Sequence, residues 1–338
     1  VLNDDFYARV LVHGSLGLGE SYMDGWWTVE DLDGLIYRIL VARLDQRVRP
    51  WRDLVAYCAA TLLNLQRRSR AFQVGEHHYD LGNDLYECML DRRMIYSCGY
   101  WDSATTLEAA QEAKLELVFR KLGLQPGHCV LDVGCGWGGA LRLAAEQHQV
   151  SGVGITVSRE QVDYARKACQ GLPISVQLQD YRDLRGVYDH IYSIGMFEHV
   201  GVKNYRTYMK TLRGVLRMGG RFLLHTIGTT HSTNRTDPWI EKYIFPNSML
   251  PSQHQIVEAI EGLFLLEGWQ RLGTHYDRTL LAWLANFEKH WPQLQRNRDA
   301  RFYRMWRFYL NACAASFRAG TNDVWQVLLT PTDAGGGS

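Results

Sequence analysis

The sequence predicts an α/β fold built around an open parallel sheet. Three observations lead there. Between residues 76 and about 230, short apolar runs alternate with longer segments of helical period, the pattern of strands joined by crossover helices. One of those runs, Cys129–Val133, empties directly into a glycine-rich loop. The composition, with 46% hydrophobic and 22% charged residues over 338, is that of a chain able to bury a core rather than stay disordered. That length suits one large domain or two modest ones. The net charge of +1 leaves no global field that would single out nucleic acid.

Residues 1 to about 75 read as helical, with no chain of strands. Leu54, Cys58, Leu62 and Leu65 fall near helical spacing, and Arg67, Arg68 and Arg70 sit where they favour a helix C-terminus. In the middle region, Thr105 and Glu108 form a capping-box pattern ahead of a helix running to about Leu122. Pro126-Gly127 marks a turn into the strand Cys129–Val133. Further strands are expected over Ser151–Ile155, 174–179, 189–194 and 221–227. Ser158 and Gln161 form a second capping-box pattern, and a helix is expected from Asn204 to Leu216. Residues 231 to 329 add aromatic helices and loops before a last strand, Val324–Leu329. The domain division expected is therefore 1–75 helical, 76–330 sheet-bearing, and a flexible tail over 331–338 ending in Gly-Gly-Gly-Ser.

Seven scattered cysteines without a C-x-x-C pair argue against zinc and redox motifs and suit a reducing cytosol. No apolar run approaches the roughly 18–20 residues that span a bilayer, and no signal peptide is visible. The chain opens at Val1, so a truncated start is expected.

The strongest local signal is Val130-Leu-Asp-Val-Gly-Cys-Gly-Trp-Gly-Gly139. Glycines let backbone approach a ligand, and in an open sheet the ligand sits at the carboxyl ends of the strands. A turn without a ligand needs one or two glycines, not four in six positions. The loop Gly134-x-Gly136-x-Gly138, preceded by Asp132, resembles the glycine motif of class I S-adenosylmethionine-dependent methyltransferases, which implies a Rossmann-like sheet. That resemblance places Asp132, Gly134, Cys135, Gly136 and Gly138 at the cofactor, with Asp180 and Tyr181 at the end of the third strand near the adenine. Thr156 stands where the class often has an acid for the ribose. Gln161, one turn on, is the candidate substitute, although Ser158 and Gln161 serve equally as simple helix caps.

Further segments resemble cyclopropane fatty acid synthases along essentially the whole chain. They are Gly14-Ser-Leu-Gly-Leu-Gly-Glu-Ser-Tyr-Met-Asp-Gly-Trp-Trp27, His78-Tyr-Asp-Leu-Gly-Asn-Asp84, Tyr96-Ser-Cys98, Gly195-Met-Phe-Glu-His199, His225-Thr-Ile-Gly228 and Tyr309-Leu-Asn-Ala-Cys313. The first is similar to the longer members that act on phospholipid, so residues 1–75 are expected to be lipid-related. The resemblance implies methyl transfer from S-adenosylmethionine to the cis double bond of an unsaturated acyl chain. The carbocation formed then loses a proton as the ring closes. It implies a bound bicarbonate ion as base, held by Glu198, His225 and Tyr276 with backbone groups of Cys98 and Ile227. Tyr96 and Ser97 join the cofactor set. Cys313, sometimes treated as catalytic in the family, lies on a helical stripe with Phe302, Trp306 and Tyr309 and reads equally as inert core. Tyr96 and Phe197 are candidates for stabilising the cation with a ring face.

The partners implied are a phospholipid bilayer surface and a second copy of the chain. A cytoplasmic location against the inner face of the membrane follows. Arg67–Arg70 and the arginines at 296, 298, 301, 304 and 307 are candidate anionic-lipid contacts, with a solvated helix face the plain alternative. Two other functions compete: a small-molecule N-methyltransferase of the coclaurine type, and a lipid- or cofactor-binding protein without catalysis. The Gly14–Trp27 segment and Tyr276 favour cyclopropane formation over the first, and the glycine loop with Glu198, His225 and Tyr276 argues against the second.

Overall fold

The strand–helix alternation becomes a seven-stranded sheet of order β3-β2-β1-β4-β5-β7-β6. The computed structural model describes residues 1–46, 82–233 and 235–332. The helical stripe Leu54–Leu65, the Arg67–Arg70 cluster, the boundary near residue 75, the start of the His78 motif and the last six residues of the tail lie outside the described residues.

The N-terminal helices are α1 (Asp5–Met23) and α2 (Leu32–Val41), followed by α3 (Asn83–Met89) and α4 (Leu107–Leu122). The sheet then begins with β1 (Cys129–Val133), α5 (Gly139–His148), β2 (Ser151–Thr156), α6 (Arg159–Ala168), β3 (Ile174–Leu178), β4 (Tyr188–Ile194), α7 (Tyr205–Val215) and β5 (Leu216–Gly228). After α8 (Pro238–Tyr243) and α9 (Gln253–Ile260) come β6 (Phe264–Arg271), α10 (Gly273–Leu294), α11 (Ala300–Arg318) and β7 (Asp323–Pro331).

β1 to β5 pair in parallel, as expected. β7 does not: it enters antiparallel between β5 and β6. β6 itself was not expected. It is an edge strand whose Leu265 and Leu266 are exposed, so it lacks the apolar alternation by which a half-buried strand is recognised. Pro331 ends β7 and the Thr332 amide bonds Leu263 O, so the tail starts later than 331. The cap of α4 is Thr106, not Thr105: its hydroxyl accepts from the Ala109 amide at 3.2 Å. Ser158 caps α6 as expected, but Gln161 does not close the box, because its Oε1 accepts from Thr156 Oγ1 instead. A full capping box occurs at Ser252 and Gln255.

One apolar core unites the N-terminal helices with the later ones. Tyr22, Met23, Trp27 and Ile36 pack with Trp283, Trp306, Phe308 and Leu310. The arginines of α11 serve this junction. Arg301 pairs with Asp24, Arg304 donates to the carbonyls of Tyr22 and Trp27, Arg298 pairs with Asp84 and Arg307 with Glu288. Four of the five arginines in the 296–307 stretch, Arg298 lying just ahead of α11, are thus engaged within the molecule. The stretch could not be distinguished from a free basic face because its partners lie far away in sequence.

Candidate active site

A cavity opens at the carboxyl ends of β1, β2 and β3. Of the expected cofactor residues, Tyr96, Ser97, Asp132, Gly134, Cys135, Gly136, Thr156, Gln161, Asp180 and Tyr181 line it. Gly136 adopts φ +53 and an added Cβ would meet no protein atom within 4 Å. Its side-chain space is the cavity itself, so the glycine serves a ligand's approach and a left-handed backbone rather than protein packing. Gly138 is placed differently. It is absent from the lining and instead begins α5, where a Cβ would press on Ala165 and the Cys169 sulfur at 3.0 and 3.2 Å.

The Thr156 hydroxyl donates to Gln161 Oε1 at 2.7 Å. That bond turns the expected substitution into a defined one: with its oxygen occupied, Gln161 offers amide N–H donors where an acid would offer acceptors. Asp180 accepts from the Arg182 amide and guanidinium, both at 2.9 Å, which fixes its carboxylate at the cavity edge. Trp137 of the glycine loop donates to Asn83 Oδ1 at 2.9 Å, and the neighbouring Asp84 takes a bidentate bond from Arg298. The Gly82–Asp84 part of the His78 motif therefore ties the loop to α11.

The second half of the site is gathered by the sheet. Glu198, just after β4, is buried, and its Oε1 accepts from the Ile227 amide at 2.7 Å while Oε2 has no hydrogen-bond partner. Burial pushes its carboxyl up to about 7, against the pull of that amide. The Ile227 N–H is thereby committed to Glu198, so in this state it is a support for the carboxylate rather than a free donor to an ion. His225 lies two residues earlier on β5. Burial, with the charges of Lys114 and Lys121 behind it, lowers it well below the usual histidine range, so the ring is neutral.

Gln326 of β7, opposite His225 in register, sets the tautomer. Its Oε1 accepts from Lys121 Nζ at 2.6 Å, which turns its Nε2 toward His225 Nδ1 at 3.3 Å. An acceptor at Nδ1 leaves the proton on Nε2. Lys121 also donates to Gln270 Oε1 of β6 at 2.5 Å.

Cys98 is tied to the β5–β7 ladder through backbone groups. The Cys98 thiol donates to Leu272 O at 3.7 Å, and the Leu272 amide donates to Val324 O at 2.7 Å. Val324 stands opposite Ile227 in the β5–β7 ladder. Tyr276, one turn into α10, is buried against Trp283 and Phe317. The Tyr96 and Tyr309 hydroxyls meet at 2.8 Å, and the Tyr96 ring lies 5.1 Å from Trp283.

Two further residues are placed in the core. Phe197 stacks on Tyr205 at 4.1 Å, fully buried and outside the cavity lining, so its ring is core and not a cation partner. Cys313 packs at the edge of the aromatic core, and burial pushes its thiol up to about 12, which leaves it protonated and a poor nucleophile. Sequence reasoning also missed lining residues, among them Lys114, Met196, His199 and Asn247. Lys114 sits mid-helix, where a lysine is ordinarily a solvated one, and nothing local signals otherwise.

A family model described as mycolic acid cyclopropane synthetase matches residues 66–327. The chain belongs to this family. It is 50% identical over 98% of its length to a cyclopropane-fatty-acyl-phospholipid synthase of Escherichia coli (strain K12), of which it covers 87%. Among solved structures it resembles the mycolic acid cyclopropane synthase CmaA1 complexed with SAH and CTAB, with a TM-score of 0.72 and 33% identity over 77% of this chain and 98% of that one. Coclaurine N-methyltransferase matches with a TM-score of 0.77 over 93% of this chain and 98% of that one, but at 22% identity, a likeness of fold alone.

Proposed function

We propose that the chain transfers a methylene from S-adenosylmethionine to the cis double bond of unsaturated phospholipid acyl chains, forming cyclopropane rings. The observation that carries this reading is a glycine-loop cavity that Met196 and His199 help to line, with the buried acid between them in sequence, Glu198, keeping its Oε2 unpartnered. The half-identical synthase supports the substrate class. S-adenosylmethionine, when bound, supplies an electrophilic methyl.

An alkene is a weak nucleophile, so this chain's contribution is orientation in a dry pocket and control of one proton. Tyr96 lines the pocket, its ring 5.1 Å from Trp283 and its hydroxyl 2.8 Å from that of Tyr309, and offers an aromatic face suited to developing positive charge. The residues fit a bicarbonate ion. Glu198 Oε2 lacks the donor that a bicarbonate O–H would provide, and neutral His225 presents an Nε2–H donor. With its carboxyl near 7, Glu198 is matched to accept and release a proton.

The substrate makes the bilayer surface the place of work. No helix among the described residues is long and apolar enough to cross a membrane. We place the enzyme at the cytoplasmic face as a homodimer, with Arg67–Arg70 as the remaining basic candidate for anionic lipid.

Incubation with S-adenosylmethionine and unsaturated phospholipid vesicles should yield acyl chains heavier by one CH₂. Unchanged lipid in the presence of turnover on a benzylisoquinoline amine would replace this reading with the N-methyltransferase one. Removing dissolved carbonate should slow the enzyme, and added bicarbonate should restore it. Full speed without carbonate would make Glu198 itself the base.

A further inference from the structure

Lys114 of α4 is wholly buried. Its Nζ donates one hydrogen bond, to Ser97 Oγ at 2.8 Å. An ammonium has three N–H donors. Among the described residues the other two have no hydrogen-bond or ion-pair partner. Asp91 and Asp132 favour its charged form only through their fields. A buried ammonium so thinly partnered is costly unless something else completes it.

Lys114 is also part of the cavity wall, with Tyr96, Ser97, Asp132 and Gly134. Asp180, Tyr181 and Gln161 wall the cavity from the β2 and β3 side, where the adenosine belongs by the reading above. The amino-acid tail of the cofactor then extends toward β1 and α4, and that tail ends in a carboxylate.

We propose that Lys114 is the counter-charge for the carboxylate of S-adenosylmethionine, acting together with the Ser97 hydroxyl it already holds. The two unmatched N–H groups take the carboxylate oxygens. The cofactor thus completes a charge that the empty protein leaves short of partners, and a methionine-bearing nucleoside is selected over one without the acid.

This inference rests on the cavity being the S-adenosylmethionine site, and the test separates the two. Calorimetry would compare three ligands: S-adenosylhomocysteine, its decarboxylated analogue 5′-(3-aminopropylthio)adenosine, and 5′-methylthioadenosine. Wild type should lose affinity roughly tenfold or more on decarboxylation, the scale of a charge-assisted bond. K114M should lose that much for S-adenosylhomocysteine, bind the decarboxylated analogue as wild type does, and no longer tell the two apart. Methylthioadenosine affinity should be unchanged.

K114Q, which keeps a donor for Ser97 Oγ, should behave the same way and guards against a folding defect in K114M. Equal affinity of wild type for the acid and its decarboxylated analogue would overturn the proposal without any variant. So would a K114M that stays folded and weakens all three ligands alike, since that marks a structural lysine. If methylthioadenosine does not bind wild type at all, the cavity assignment fails first.

Discussion

The two halves of the site are built in opposite ways. The cofactor wall comes largely from consecutive segments: the Gly134–Gly136 loop after β1, Thr156 to Gln161 after β2, and Asp180-Tyr181 after β3. It works mostly through backbone shape and short polar side chains. The proposed proton site draws on Glu198, held by the Ile227 amide of β5, and on His225, which Gln326 meets because β7 inserts between β5 and β6. It works through charge states set by burial. The first half is fixed by local geometry and tolerates solvent. The second depends on exclusion of water, and there a single atom decides whether a residue is acid, base or neutral.

The sharpest way to break this comparison is Glu198→Gln. It keeps the size and the acceptor for the Ile227 amide but cannot take a proton. Turnover should fall by roughly 10²-fold or more, while S-adenosylhomocysteine affinity by calorimetry stays within a few-fold. A large loss of cofactor affinity would show that the halves are one unit.

The same variant sharpens the role of burial. Glu198 has its carboxyl raised from 4.5 to about 7, so the folded state binds the proton more tightly than the unfolded one. The wild type is therefore favoured below about pH 4.5, and that stability is lost as pH rises through 7. The loss is on the order of 3 kcal/mol, from about 1.4 kcal/mol per pK unit. Glu198→Gln lacks this loss, so its melting temperature relative to wild type should climb between pH 5 and 8 and level off above. A flat difference would mean that the carboxylate is not held against its preference.

On the cofactor side, Gly136→Val should weaken S-adenosylhomocysteine roughly tenfold or more, since it combines a strained left-handed backbone with a side chain in the ligand's space. Unchanged affinity would remove the loop from the site. A smaller effect is expected from Gln326→Leu. It deletes the hydrogen bond to His225 and the one from Lys121, each worth about 1 kcal/mol, and should lower kcat several-fold with KM for the cofactor unchanged.

What could be read in advance follows the same division. The glycine loop and β1 to β5 were legible because each is a contiguous pattern. The cap at Thr106 was off by one because two threonines stand side by side and only backbone phase distinguishes them. Edge strand β6 was hidden by its exposed leucines. Glu198, His225 and Tyr276 were expected by resemblance alone. Lys114, Lys121 and Gln326 were not legible, because a lysine in a helix or a glutamine in a strand carries no mark of burial until its partners, 17 to 205 residues away, are in place.

The arginines of α11 give the smallest expected effect, and a useful one. A basic-aromatic helix face invites a membrane reading, yet Arg301 is paired with Asp24 of α1 at 3.0 Å and lies over the Tyr243 ring. An arginine docked on lipid would have to release Asp24, so its attraction to the bilayer is largely offset by what it gives up. The pair itself is partly exposed and screened, which limits its worth to about 0.5 kcal/mol or so. Arg301→Ala should therefore change vesicle co-sedimentation little at any salt concentration and lower the melting temperature slightly. Under the proposed membrane role, removing Arg67, Arg68 and Arg70 should weaken binding to anionic lipid, most at low salt, where surface attraction is least screened. If Arg301→Ala instead cut binding to anionic vesicles severalfold with no change in melting, the α11 face would be a lipid contact after all, and its ion pair with Asp24 a latch that the membrane opens.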